Sequence, residues 1–374
     1  MYPVVLNTIV FGVMAITVET ALGGTDYFWM TLMLLVLTGA TTSFFQVAVF
    51  AEASRFPPQY VQAVMSGQGI AGVAVAVSSL LSAFAGTTKL ETGDPSTNRS
   101  AFIYFVSALL TTVAALVGRV MLSQQPFYIY QMKLDKAMNS EQGLDDDYNN
   151  DDDDELSTAE QQQERHTPRP LLQLVKKSFG LIIAVAYIFV ITLMMFPTIT
   201  SLIKSVVRHP PSSSPVDSAI SVTETDDDSS SNGSRFFDDD IFVAMHFLLF
   251  NVGDWAGRIF PLWPTFRTFN PTLLVILSGL RTIFVPLFLV CNVVVSTERN
   301  LPVLVNSDVL YFVLIWIFSV SNGWISSLTM MAAPQQPYLR SAAEKSQIGS
   351  VMSFSLVVGL AIGGCLSFWA RSMV

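Results

Sequence analysis

The chain has 374 residues, of which 51% are hydrophobic and 13% charged, with a mean hydropathy of +0.49. That balance fits an integral membrane protein, because apolar runs of about 18 or more residues recur along the chain. The formal net charge of −9 comes largely from two acidic tracts with no accompanying basic patch, so a nucleic-acid polymer is not an expected partner.

Nine apolar runs follow one another, at 3–22, 28–51, 61–86, 101–122, 178–203, 240–262, 271–297, 309–333 and 347–371. A helix needs about 20 apolar residues to cross the hydrocarbon core, whereas a barrel strand needs about 10 in alternation. The runs are long and continuous. The expected fold is therefore an all-α integral membrane bundle of nine transmembrane helices, some tilted or kinked. The chain opens Met1-Tyr2-Pro3 and enters the first run directly, with no basic n-region and no small-residue cleavage site. It does not read as a signal peptide; it reads as a start partway through a membrane domain.

In the second run, Gln46 lies deep in apolar sequence, where an amide needs either a helix–helix hydrogen bond or a ligand. Arg55 and Pro57-Pro58 mark the turn that follows, since the residue before a proline resists the helical conformation. The third run opens Met65-Ser66-Gly67-Gln68-Gly69-Ile70-Ala71-Gly72. Gly67, Gly69 and Gly72 favour close helix packing; Ser66 and Gln68 suit either packing or solute contact.

Two hydrophilic inserts break the series. Residues 134–170 are acidic and rich in Gln and Asn; residues 205–239 are rich in Ser, Pro and Asp. Neither carries an apolar period, so both are expected to be largely disordered. The first divides the chain into an N-terminal group of four spans (1–133) and a C-terminal group of five (171–374).

The sixth run contains Phe247, Asn251, Asp254 and Arg258. At roughly 100° per residue these four fall within about 60° of one another on a helix. A charge inside a membrane helix costs at least about 2.5–3.5 kcal/mol on insertion scales, which makes this stripe a functional-site hypothesis. The competing reading is an internal i, i+4 ion pair that packs against a neighbour. In the eighth run, Ser321-Asn322-Gly323 is a candidate kink; in the ninth, Gly359, Gly363 and Gly364 form a small-residue stripe suited to close packing. Cys291, Cys365 and the three His residues show no metal or redox spacing. No nucleophile–base arrangement suggests an enzyme, and no cofactor is expected.

Of the 20 Lys and Arg residues, Arg258 and Arg281 are embedded in apolar runs. The others flank the spans with a bias toward the side of Arg55, the 134–170 insert, Arg267 and Arg340, which places that side in the cytoplasm. The glycosylation sequons Asn98-Arg99-Ser100 and Asn232-Gly233-Ser234 both fall on the opposite side, as glycosylation requires.

Together these stretches resemble the equilibrative nucleoside transporter family, with a fungal-like character in the Asp-rich and Ser-rich inserts. The matching segments are Gln46 through Tyr60, Met65 through Gly72, Phe250-Asn-Val-Gly-Asp-Trp-Ala-Gly-Arg258, Ser321 through Leu328, and Ile348 through Val374. The resemblance implies a major-facilitator-like helical bundle of eleven helices. This chain carries four spans before the large loop instead of six, so it is expected to lack the first two. It also implies that Gln46, Asn251, Asp254 and Arg258 contact the solute, with Asp254 and Arg258 near the ribose hydroxyls, and that Phe247 and Leu360 are apolar contacts. Asn322 enters as a packing or solute residue.

The resulting expectation is facilitative transport of nucleosides, and of nucleobases, by alternating access in a plasma or vacuolar/lysosomal membrane. One rival is proton-coupled transport through Asp254, with Glu19 and Glu52 near span ends; Arg258, one turn from Asp254, opposes protonation there. The other rival is a non-transporting, receptor-like fragment. Base preference and oligomeric state are not legible in the chain.

Overall fold

A computed structural model describes residues 2–19, 25–84, 95–133, 169–210, 238–295 and 302–374. It is helical nearly throughout, as apolar sequence in a membrane requires: a helix satisfies its own backbone hydrogen bonds where no water can. The elements in chain order are α1 (Tyr2–Glu19), α2 (Thr25–Ala53), α3 (Pro58–Phe84), α4 (Pro95–Ser123), α5 (Leu171–Met195), α6 (Asp239–Ile259), α7 (Pro271–Leu280), α8 (Phe284–Leu289), α9 (Asp308–Ala332) and α10 (Ala342–Ser372). Each of the nine apolar runs falls on one or two of these helices. Among the described residues, six segments are long and apolar enough to cross a membrane: Tyr27–Ala53, Pro58–Leu80, Leu171–Leu202, Pro271–Leu289, Asp308–Gln335 and Ala342–Ser372. Tyr2–Thr17 and Ala108–Ser123 are shorter apolar helices. Helix α6 is long enough but is made less apolar by its polar stripe.

The helices divide into two units, one built from Met1–Phe56, Lys89–Leu174 and Tyr338–Ser350, the other from Pro57–Thr88, Val175–Pro337 and Val351–Val374. In the first, polar side chains tie helix to helix. Asn7 on α1 donates to Thr42 on α2 at 3.1 Å and accepts from Thr41. Arg119 on α4 grips both carboxylate oxygens of Glu52 on α2 and donates to the Tyr128 hydroxyl at 3.2 Å. A Cβ on Gly349 would strike the Phe50 carbonyl and the Ser54 side chain, so the first turns of α10 lie directly on the end of α2.

In the second unit, small residues set the helix spacing. A Cβ on Gly257 would run into the Val320 carbonyl, and one on Gly323 into the Asp254 carbonyl, so α6 and α9 touch backbone to backbone. Gly69 and Gly72 bring α3 against Arg258, Trp255 and Asn251 of α6. Gly359 and Gly363 bring α10 against Ala186 and Val190 of α5. Gly67, grouped with these by sequence, faces open space and packs nothing. The core of this unit is aromatic: Phe196 stacks on Phe250 with ring centroids 3.8 Å apart, and Phe242, Phe288, Tyr311 and Phe318 complete it.

Three expectations need correction. The run 271–297 is not one helix: α7 ends at Leu280, a 3-10 turn spans Arg281–Ile283, and α8 ends at Leu289. Pro286 explains the change, because it has no N–H to give the carbonyl of residue 282 and its ring crowds that turn. The run 178–203 ends its α-helix at Met195, just before Pro197. Conversely, the Ser321-Asn322-Gly323 step does not break α9, which is continuous from Asp308 to Ala332; Gly323 serves close packing.

Residues 134–168 and 211–237, the bulk of both inserts, lie outside the described residues, as does Asn232. Asn98 falls in the first turn of α4. The two ends of the second insert are held together. Lys204 sits 2.9 Å from Asp239, Arg208 2.6 Å from Asp238, and His209 3.1 Å from Asp239. Burial works against the Asp239 carboxylate, but Lys204 and His209 outweigh it and hold its pKa below the usual range.

Candidate functional site: a buried polar relay on α6

The α6 stripe carries two charged side chains into the interior of the second unit. Asp254 and Arg258 are each only 7% exposed, and Arg258 Nε donates to Asp254 Oδ2 at 2.8 Å. The i, i+4 spacing on one helix makes this contact geometrically natural. Burial gives it weight: removing one partner of such a pair costs about 3–5 kcal/mol, because the other charge is left uncompensated.

The guanidinium reaches beyond its own helix. Nη1 donates to the Met65 carbonyl on α3 at 2.9 Å and to Gln68 Oε1 at 3.4 Å. From the same helix, Gln62 Nε2 donates to the Arg258 carbonyl at 3.0 Å. Ser66 accepts from Trp255 Nε1 at 3.2 Å. The glycines of α3 allow this approach, since bulkier residues at 69 or 72 would collide with α6.

The other carboxylate oxygen faces α9. Asn322 Nδ2 donates to Asp254 Oδ1 at 2.7 Å, across the contact made possible by Gly323. The Asn322 carbonyl oxygen lies 2.7 Å from the Thr192 hydroxyl on α5, and Thr192 accepts from Arg281 Nη2 at 3.0 Å. Arg281 is 1% exposed. Its Nη1 donates to the Phe318 carbonyl at 3.0 Å and to the Ser321 hydroxyl. The guanidinium lies over the Phe318 ring at 4.6 Å and nearer its own helix over Phe284 at 5.8 Å.

The sequence-derived candidates divide by position. Asp254, Arg258, Asn322 and Gln68 join one hydrogen-bonded group, with Ser66 beside it through Trp255. Asn251, half-buried, turns its amide back to the Phe247 carbonyl at 2.8 Å. Phe247 is half-buried and packs on Phe196 at 4.9 Å and His246 at 5.0 Å. Leu360 is half-buried on α10. Gln46 is half-buried on α2, in the first unit. Gly67 stands apart from the group.

Four residues of the region escaped sequence reading: Gln62, Thr192, His246 and Arg281. Arg281 had a signal, a lone cation in an apolar run. Thr192 had none, because a threonine in a membrane helix commonly bonds its own turn, as this one also can to Ile188. His246 is fully buried among Phe196, Phe247 and Tyr311, and its ring nitrogens have no hydrogen-bond partner among the described residues.

The site offers an anion, guanidinium donors and amides, held by hydrogen bonds between α3, α6 and α9. It can bind a small molecule carrying paired hydroxyls, since carboxylate and guanidinium present acceptors and donors side by side.

Comparison with known proteins bears on this geometry. The family described as nucleoside transporter matches residues 32–214 and 216–372. The chain is 28% identical over 380 residues to Equilibrative nucleoside transporter 1 of Rattus norvegicus, covering 98% of this chain and 74% of that protein. It is 27% identical over 392 residues to Equilibrative nucleoside transporter 2 of Homo sapiens, covering 98% and 76%. Over 134 residues, 34% of this chain and 25% of the relative, it is 34% identical to Nucleoside transporter FUN26 of Saccharomyces cerevisiae. The family and the apolar helices together make it a multi-pass membrane protein. With both segments of the match spanning nearly the whole sequence, the chain belongs to the nucleoside transporter family.

Proposed function

We propose that the chain is a facilitative carrier of nucleosides, and of nucleobases, that works by alternating access in a plasma or vacuolar/lysosomal membrane. In this reading all nine apolar runs cross the bilayer. Asn251, Asp254 and Arg258 meet the polar parts of the solute, and Phe247 and Leu360 its apolar faces. Gln46 enters from the family resemblance alone. Asn98 and Asn232 are the glycosylation candidates.

The observation that carries the reading is the Asp254–Arg258 pair, 2.8 Å apart and buried in a family member's helix. Nη2 of Arg258 makes no hydrogen bond among the described residues. Among the described residues each Asp254 oxygen accepts one hydrogen bond. Donor and acceptor capacity thus remains for the two hydroxyls of a ribose.

The test is uptake of a nucleoside and of its dideoxy analogue by wild type and Asp254→Asn, each normalised to surface protein. Loss confined mainly to the nucleoside is the expected result. Equal proportional loss for both solutes, tracking expression, would reduce the pair to a structural tie.

A further inference from the structure

We propose that Arg281 is a positioning residue for Asp254, acting through Thr192 and Asn322 across four elements of the second unit. The inference rests on the transport reading above and adds to it a residue outside the α6 stripe.

The argument is one of hydrogen-bond direction. Asp254, as a carboxylate, only accepts, so the group 2.7 Å from Oδ1 must be the Asn322 amide nitrogen. That choice turns the Asn322 carbonyl oxygen toward Thr192 at 2.7 Å. Two acceptors at this distance would repel, so the Thr192 hydroxyl hydrogen goes to Asn322 in preference to the Ile188 carbonyl, its other neighbour at 2.8 Å. The Thr192 lone pairs are then left to accept, and the group facing them is the Arg281 guanidinium, which only donates, at 3.0 Å. Every polarity in the chain is dictated from both ends. A carboxylate at one end and a guanidinium at the other fix two neutral side chains between them.

Direction has a consequence for Asp254. Its two oxygens are held by two different helices, Oδ2 by Arg258 of its own helix and Oδ1 by Asn322 of α9. Without Thr192 and Arg281 behind it, the Asn322 amide is free to rotate about its last bond, and the carboxylate loses one of its two restraints. Preorganised polar groups bind better than mobile ones because the ordering cost is already met.

Arg281 also has a plainly structural tie, through the Phe318 carbonyl, Ser321 and the Phe318 ring. The test must leave that tie intact. Thr192→Val keeps the shape of the side chain and every contact of Arg281 with α9, but removes the hydroxyl. Kinetics of uptake are measured for a ribonucleoside and its dideoxy analogue in the full-length protein, with surface protein quantified.

The relay predicts that Thr192→Val raises KM for the ribonucleoside about tenfold, as loss of one well-placed hydrogen bond does. It predicts much less change in KM for the dideoxy analogue, which lacks the hydroxyls that Asp254 orients, and near wild-type behaviour for Thr192→Ser. Unchanged KM for both solutes, or equal changes for both, overturns the relay while the transport reading stands. So does a Thr192→Ser variant that behaves like Thr192→Val. Wild-type protein that takes up no nucleoside overturns both. If Thr192→Val does not reach the membrane, Thr192→Ala applies the same test and again leaves the contacts of Arg281 with α9 in place. A ribonucleoside-selective rise in KM is expected. Equal shifts for the two solutes would again overturn the relay.

Discussion

Arg258 uses its guanidinium in two directions at once. Nε holds Asp254 on the same helix, and Nη1 holds the Met65 carbonyl on α3. A lysine retains the charge but is a point donor on a flexible stem, unable to serve both partners and a solute hydroxyl together. Arg258→Lys is therefore expected to lower nucleoside uptake per surface molecule by about tenfold or more, on the scale of one lost charge-assisted hydrogen bond. Uptake at wild-type level in that variant would show that the fork geometry has no role. Asp254→Ala should be at least as harmful, because it leaves Arg258 without its anion in a buried setting.

At the scale of elements, the site depends on how closely α6 lies to its neighbours, and that closeness is set by glycine. A Cβ on Gly323 would sit 2.8 Å from the Asp254 carbonyl carbon and 2.9 Å from the Arg258 nitrogen. These are backbone atoms that cannot swing aside, so the helices would have to part. Overpacking of this kind typically costs about 1–3 kcal/mol. Gly323→Ala should lower thermal stability and weaken uptake together. Gly279→Ala on α7 is the control: nothing lies within 4 Å of its Cβ position, and alanine is the better helix former by about 1 kcal/mol. If both variants melted alike, the close α6–α9 contact would not be limiting.

The same contrast shows what the sequence can and cannot reveal. Asp254 and Arg258 stood out because charges in an apolar run have no inexpensive explanation, and their spacing places them together on any helix. Asn322 and Gly323 drew attention as a possible kink, yet they serve packing and hydrogen bonding across α6 and α9, a pairing that no local pattern encodes. Thr192 was invisible for the same reason. The break at Arg281–Ile283 was legible in principle from Pro286, but a window of apolar residues overrides a single proline.

At the scale of the whole molecule, orientation is the first thing to establish. From the basic-residue bias and both sequons we propose that Asn98 and Asn232 lie outside the cytoplasm and the 134–170 insert inside. Cysteines introduced singly at 98, 150 and 232 should react with an impermeant reagent from outside at 98 and 232 only; labelling at 150 from outside would reverse the assignment. The central claim is that a member of the nucleoside transporter family moves nucleosides down their gradient, with the Asp254–Arg258 pair at the solute. The most direct measurement is uptake of a radiolabelled nucleoside into proteoliposomes containing the purified full-length protein, with no pH gradient. Saturable entry that levels off at equal internal and external concentrations, and that Asp254→Asn abolishes or sharply reduces, is the expected result. No entry above protein-free vesicles, or accumulation that requires an imposed proton gradient, would contradict it.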